Sequence, residues 1–330
     1  MLILAKLAMA LMLGFILAIV TGLILIPLLR KFHIGQNVTH TITKTHLVKQ
    51  GTPTIGGLIF IIPTVITLLV LKIRGSIDLN FNLLIILLTF VLYGLLGLID
   101  DVMKVKFHNN DGLSIPAKLI LQMLIALLFL FIYLKNGGNP SLQVSALGID
   151  WNLGWGYGIF ILFLLVGTSN AVNITDGLDG LAGGLSIIAF FAYGLLALSS
   201  RWLVGYEEVG IFCFVLCGTL LGFLVFNAHP AKVFMGDNGS LALGGALAAV
   251  AILTKHELLL AVIGGVFVLE TLSSAIQIIA IRKFHKKVFR MAPLHHNFEQ
   301  YGWKEQDITR LFYVVGLILA LLAITYGIWI

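Results

Sequence analysis

The chain has 330 residues, 59% of them apolar and only 11% charged, with a mean hydropathy of +1.04. Soluble domains carry about 25% charged residues, so this composition excludes a soluble globular surface and implies a polytopic membrane protein. The net charge of +6 needs no nucleic acid, because retention of basic loops at an anionic inner leaflet explains much of it.

Apolar runs close to the roughly 20 residues that cross hydrocarbon predict ten helices. They lie near 2–29, 55–71, 82–99, 116–134, 156–172, 180–199, 208–227, 240–254, 258–281 and 308–330. The first run is too long for a cleaved signal peptide and lacks a small-residue cleavage pattern, so it reads as a retained span. Cys213 and Cys217, four apart in the seventh run, share a helix face and read as small packing hydrophobes rather than a metal or redox pair. Without a repeat or a long linker, the chain reads as one integral membrane domain, residues 1–330. Its cytoplasmic loops are expected near 30–54, 100–115, 173–179, 228–239 and 282–307.

Basic residues assign these sides. The loops after odd-numbered helices hold fifteen of the twenty-one Lys and Arg, so that face is expected to be cytoplasmic and both termini outside. Eight of the nine histidines fall on the same face, all but His256, together with Asp100, Asp101, Asp111, Asp176, Asp179 and Asp237. Loops that only solubilised the chain would spread acids over both faces. Their concentration at one set of helix ends points to a cytoplasmic active site.

Five polar stretches carry the chemistry. Before the second helix, Thr45 to Gly57 (THLVKQGTPTIGG) puts Thr52 and Thr54 around Pro53, a rigid hydroxyl-bearing turn that is not a Walker A loop. Asp100 and Asp101 close the third helix; adjacent carboxylates at a membrane boundary need a cation, and a metal ion, Lys104 one turn on, or Lys118 would serve. A water-facing acidic pair is the alternative, although carboxylates at a helix C-terminus oppose the macrodipole. In NAVNITDGLDGLAGG, from Asn170 to Gly184, Asn173, Asp176 and Asp179 repeat every third residue on one face, where a helix N-terminus offers free N–H groups to a phosphate. A helix cap with small-residue packing accounts for one Asp there, not for two Asp and two Asn. Asn227 and the stretch Phe234 to Ser240 (FMGDNGS) open the eighth helix. One residue suffices for a cap, whereas single carboxylates from separate helices are how Mg²⁺ is commonly held. The longest loop, Arg282 to Arg310, contains MAPLHHNFE; His295 and His296 beside Glu299 suit phosphate or a metal, without the spacing of a zinc site.

In this order the five stretches closely resemble the phospho-N-acetylmuramoyl-pentapeptide transferases, within the polyprenyl-phosphate N-acetylhexosamine-1-phosphate transferase superfamily of bacterial membranes. The match runs over essentially the whole chain. The GTPT and PLHH elements set that family apart from its relatives. The resemblance implies transfer of phospho-MurNAc-pentapeptide from UDP-MurNAc-pentapeptide to undecaprenyl phosphate, giving lipid I and UMP, with Mg²⁺ as cofactor, at the bacterial plasma membrane. It also implies a homodimer.

By the same resemblance, Asp237 is the principal Mg²⁺ ligand with Asp176 as a second. Asp100 is the base toward the lipid phosphate, and Asp101 assists metal or phosphate placement. Lys49, Thr54, Lys104, Lys118, Asn173, Asp176, Gly177, Leu178, Asp179, Asn227 and Phe234 line the substrate site, Phe234 stacking on uracil, while His295 and His296 contact phosphate or sugar. Direct attack by the lipid phosphate is favoured over a phosphorylated-Asp intermediate, since a phosphate monoester is already largely ionised near pH 7. One position departs from the family: Asn297 stands where a third histidine is usual, and an amide donates a hydrogen bond but carries no proton. Two other readings compete: a transferase using a UDP-N-acetylhexosamine without peptide, and a secondary transporter. Transporters place acids near the midplane, often in inverted repeats, whereas these acids sit at helix ends.

Overall fold

The computed structural model describes residues 3–32, 35, 51–107, 112–144, 148–199 and 206–329. Ten apolar helices stand where ten runs were expected: α1 (Ile3–Lys31), α2 (Leu58–Ile73), α3 (Phe81–Phe107), α4 (Ile115–Lys135), α5 (Trp155–Thr175), α6 (Leu181–Ala197), α7 (Glu207–Asn227), α8 (Gly236–Leu253), α10 (Gly265–Phe284) and α12 (Glu305–Trp329). Two short helices, α9 (Leu260–Ile263) and α11 (Leu294–Gln300), and a hairpin of β1 (Ser141–Val144) and β2 (Ile149–Asn152) are the other elements among the described residues. Eight helices are long and apolar enough to cross a membrane, α2 and α6 being shorter, and the chain is a multi-pass membrane protein.

α7 and α8 are apolar all round and buried at almost every position, as expected of helices surrounded by others. α1 and α6 pack along α7, and α3 and α5 along α8. α4 lies outermost and turns Ile120, Leu124, Leu127 and Phe131 outward, an apolar surface that suits lipid. Small residues set the closest approach, as in other membrane bundles. At Gly97 of α3, a Cβ would stand 2.1 Å from the carbonyl oxygen of Asp237. Nothing larger than glycine lets α3 come that near the start of α8.

Four elements differ from the sequence reading, three where polar residues continue a helix and one where a helix breaks at glycines. α3 runs on to Phe107, so Asp100 and Asp101 lie within it rather than closing it. α5 extends to Thr175. α8 begins at Gly236, which puts Asp237 in its first turn. The ninth expected helix breaks at Gly264 and Gly265 into α9 and α10. The hairpin was not expected at all; its antiparallel register pairs Ser141 with Asn152 and Val144 with Ile149. Strands of four residues are invisible to a search for long apolar runs.

The hairpin is fastened at the end of the bundle opposite the polar stretches. Lys255, with φ +56°, reaches back so that Nζ donates to the carbonyls of Asn139 (2.6 Å) and Ser141 (3.2 Å) and to the Tyr157 hydroxyl (2.9 Å). The Tyr157 hydroxyl in turn donates to the buried Glu257, which lies 4.0 Å from Nζ. Burial pushes the Glu257 carboxyl up and the Lys255 amine down from their ordinary values. A buried charge pair that loses one member is costly. Lys255→Met is therefore expected to destabilise by about 3 kcal/mol or more and to expose the hairpin to protease. Glu257→Gln, which keeps an acceptor for the Tyr157 hydroxyl but leaves the Lys255 ammonium without its counter-charge, should lower the melting temperature too, though by less; thermal melts and limited proteolysis in detergent check both.

Candidate active site

The helix ends opposite the hairpin converge on a cleft of about 290 Å³ lined by Asp100, Lys104, Leu113, Ile115, Lys118, Leu119, Asn170, Asn173 and Asp237. Asp100 and Lys104 stand one turn apart on α3, and Lys118 comes from the first turn of α4. Asn170 and Asn173 come from the last turns of α5, and Asp237 from the first turn of α8. Helix starts and ends meet here because the chain between any two of them crosses an even number of antiparallel spans.

Asp237 is the hub. Its Oδ1 accepts from Asn173 Nδ2 at 2.7 Å, and its Oδ2 pairs with Lys104 at 2.9 Å and with Lys118. Lys104 also pairs with Asp100 at 2.6 Å, and Lys118 stands 3.8 Å from the same oxygen. The other Asp100 oxygen accepts the backbone N–H of Leu113 at 2.8 Å. Asp100 is 2% and Asp237 13% exposed. Two ammonium groups thus bridge two carboxylates in a place where either charge alone would be costly.

Asp101 does something else. Its two oxygens accept the backbone N–H groups of Asp237 and Asn238, each at 3.0 Å, so a side chain from α3 caps α8 and its negative charge faces the positive end of that helix. The carboxylate oxygens of Asp100, Asp101 and Asp237 lie within 4.8 Å of one another. Three oxygen donors so close, all drawn out of water, suit a hard divalent cation that completes its shell with phosphate and water. With both Asp101 oxygens engaged by α8, Asp100 and Asp237 are the two most able to turn to it.

The expected site residues fall into three groups. Asp100, Asp101, Lys104, Lys118, Asn173 and Asp237 come together as described. A second group builds the wall beside them. Thr54 is brought in by strand-like pairing of 53–57 with 234–235: Phe234 N donates to Pro53 O (2.8 Å), Gly56 N to Phe234 O (2.9 Å) and Gly57 N to Met235 O (2.8 Å). Asn227 accepts from Gly180 N (3.1 Å) and donates to Val233 O (2.9 Å), tying the 176–180 turn to the segment bearing Phe234. Asp179 accepts from Ala231 N (3.1 Å) and faces His229 Nδ1 (3.0 Å). The third group is not among the residues that line the cleft. Asp176 caps the end of α5 and is not a member of the three-carboxylate cluster, where Asp100 stands beside Asp237 instead. The Leu178 side chain is buried in the core. His295 and His296 sit ring against ring (4.2 Å) on α11, His296 Nδ1 lying 2.6 Å from Glu299. Burial lowers the His295 pKa. Lys49 lies outside the described residues.

Three residues went unread in the sequence. His229 and Glu305 join Asp179 in a second cluster, and Glu270 of α10 pairs with His295 at 2.9 Å. Glu270 had a signal: an acid in the middle of an apolar run is expensive unless it is used. His229 and Glu305 had none, being single polar residues in polar loops.

Comparison with known proteins gives a family match and a set of close relatives. Residues 83–255 match the model of glycosyl transferase family 4. The chain is 47% identical over 322 residues to the phospho-N-acetylmuramoyl-pentapeptide-transferase of Geobacillus sp. (strain WCH70), covering 98% of each chain. It is 48% identical over 324 residues to that of Geobacillus kaustophilus, covering 97% of each. It is 44% identical over 319 residues to that of Bacillus subtilis (strain 168), again covering 97% of each.

The two roles of the acids are separable by mutation. Asp101→Asn removes one acceptor from the α8 cap and is expected to cost about 1–2 kcal/mol, seen as a lower melting temperature and faster amide exchange in the first turn of α8. Asp100→Asn caps nothing in α8 and should leave that exchange unchanged.

Proposed function

This chain belongs to the phospho-N-acetylmuramoyl-pentapeptide transferase family, and we propose from that membership which of its residues carry the reaction. It is an enzyme of peptidoglycan synthesis, moving phospho-MurNAc-pentapeptide from a UDP-linked donor to a lipid carrier phosphate, with release of UMP. We read the carrier as undecaprenyl phosphate. The single observation that supports this residue assignment is the lysine-bridged pair Asp100–Asp237 in a polar cleft at one end of an apolar bundle.

The lipid phosphate enters from the bilayer beside α4, whose outer face is apolar and whose first turn carries Lys118. Lys104 and Lys118 hold its oxygens and balance the charge that builds up on the non-bridging oxygens during attack. Asp100 takes any remaining proton from the lipid phosphate. Little activation is needed, because a phosphate monoester, with a second pKa of about 6, is mostly dianionic at neutral pH. Direct attack on the β-phosphate of the donor therefore suffices, without a phosphorylated Asp. The 176–180 turn, Asn227 and Phe234 hold the nucleoside, the Phe234 ring stacking on uracil. Asn173 orients Asp237 from the other side. Asp237 and Asp100 are the carboxylates that would hold Mg²⁺, which when bound supplies charge stabilisation to the bridging diphosphate.

Positive-inside counting puts this cleft at the cytoplasmic face of the plasma membrane, where the UDP-linked donor is found, and both termini outside. Ten spans, α9 and α10 together forming one, give that topology.

Asp237→Asn and Asp100→Asn are each expected to lower UMP release by a factor on the order of 10³ with folding and insertion intact. Removal of divalent cations by a chelator should stop turnover, and Mg²⁺ should restore it. Turnover of either variant near the wild-type rate would remove that residue from its role. Assaying UMP release from UDP-MurNAc-pentapeptide against UDP-N-acetylglucosamine, with undecaprenyl phosphate in detergent, separates this reading from a transferase that takes a bare UDP-N-acetylhexosamine.

A further inference from the structure

Glu270 sits in the middle of the apolar α10 with no solvent exposure, and the reaction as described gives it no part. Both its oxygens go to one residue. Oε1 accepts the backbone N–H of His295 at 3.1 Å, and Oε2 lies 2.9 Å from His295 Nδ1. An ionised carboxylate only accepts, so the proton between them belongs to Nδ1. The groups that act on this ring besides Glu270 are His296 and Glu299, and burial lowers its pKa. The neutral imidazole therefore keeps its one proton toward Glu270 and leaves Nε2 as a bare acceptor.

Nε2 is buried with no hydrogen-bond partner among the described residues, and the ring is 1% exposed. It is aimed at Gly177, where an added Cβ would stand 2.2 Å from it. Any other residue at 177 would cover the nitrogen. The turn over it, 176–180, is tied by Asn227 and Asp179 to the segment bearing Phe234.

We propose that Glu270 is a positioning residue: it holds His295 as the Nδ1–H tautomer, so that Nε2 accepts a hydrogen bond from a neutral donor of the nucleotide sugar, a hydroxyl or an amide N–H, at the 176–180 turn. This rests on the transferase reading and narrows it. Ionised phosphate oxygens are acceptors and find no partner in a bare Nε2, so His295 reads the uncharged part of the donor substrate while Lys104 and Lys118 serve its phosphates. The same carboxylate–imidazole device fixes the tautomer of metal-bound histidines elsewhere.

The test uses the full-length protein in detergent, with UDP-MurNAc-pentapeptide and undecaprenyl phosphate as substrates, and ¹⁵N NMR of histidine-labelled protein with His295→Gln to assign the signal. Wild-type His295 is expected protonated at Nδ1 and bare at Nε2. The isosteric Glu270→Gln should lose that preference and raise KM for the UDP-sugar about ten-fold, equivalent to about 1.4 kcal/mol, with KM for the lipid phosphate unchanged. Glu270→Asp, which keeps the carboxylate, should recover part of the loss. A wild-type ring protonated at Nε2 overturns the proposal, as does a Glu270→Gln variant whose two KM values stay put or rise together. If Glu270→Gln does not fold, UDP-sugar analogues each lacking one hydroxyl or amide N–H decide with wild type alone. One analogue should bind about ten-fold more weakly than the parent, and a series with no such member refutes the contact. A wild-type protein that releases no UMP from any UDP-sugar sinks the transferase reading instead, and the tautomer result stands apart from it.

Discussion

Carboxylates do not gather at the edge of an apolar bundle unless something opposes their charge, and here two lysines do. Lys104 spans Asp100 and Asp237, and Lys118 reaches the same two oxygens from α4. Take the lysines away and the mutual repulsion of the acids, in surroundings that screen poorly, would push α3 and α8 apart where they touch most closely. The same five groups, three acids and two bases, are those a phosphoryl transfer needs. In the structure the lysines neutralise the acids; under the proposed assignment, phosphate oxygens and a divalent cation would compete for both partners. Structure and catalysis thus draw on one set of charges.

Backbone geometry keeps that set in register. Gly97 lets α3 lie against the start of α8, and Asp101 caps the two amides that this contact brings within reach. Pairing of 53–57 with 234–235 adds the remaining wall. These contacts are made by main chain or directed at it, and the side chains of Asp237, Asn173 and Lys118 take no part in them, being engaged with one another at the cleft.

The two ends of the bundle handle buried charge differently. At the hairpin end, Lys255 is surrounded by carbonyls, a tyrosine hydroxyl and Glu257, every one of them part of the chain. At the cleft end, an opening of about 290 Å³ remains among the charged groups, and His295 Nε2 has no donor among the described residues.

Composition and run length alone determined that the chain crosses a membrane many times, because hydrocarbon admits only long apolar helices. Lys and Arg bias, with Asp, Asn and His crowded at one set of helix ends, also located the polar site, and the ordered motifs named its chemistry. Tertiary structure decided which acid does what. Asp100 and Asp101 are neighbours in sequence, yet successive residues on a helix point about 100° apart, so one faces the cleft and the other caps α8. Asp176, which the resemblance put with Asp237, is the residue that ends α5 and is not one of the three clustered carboxylates. Glu270, His229 and Glu305 joined the site only once helices remote in sequence were packed together, since spacing along one chain carries no record of a partner 25 residues or more away across a bundle.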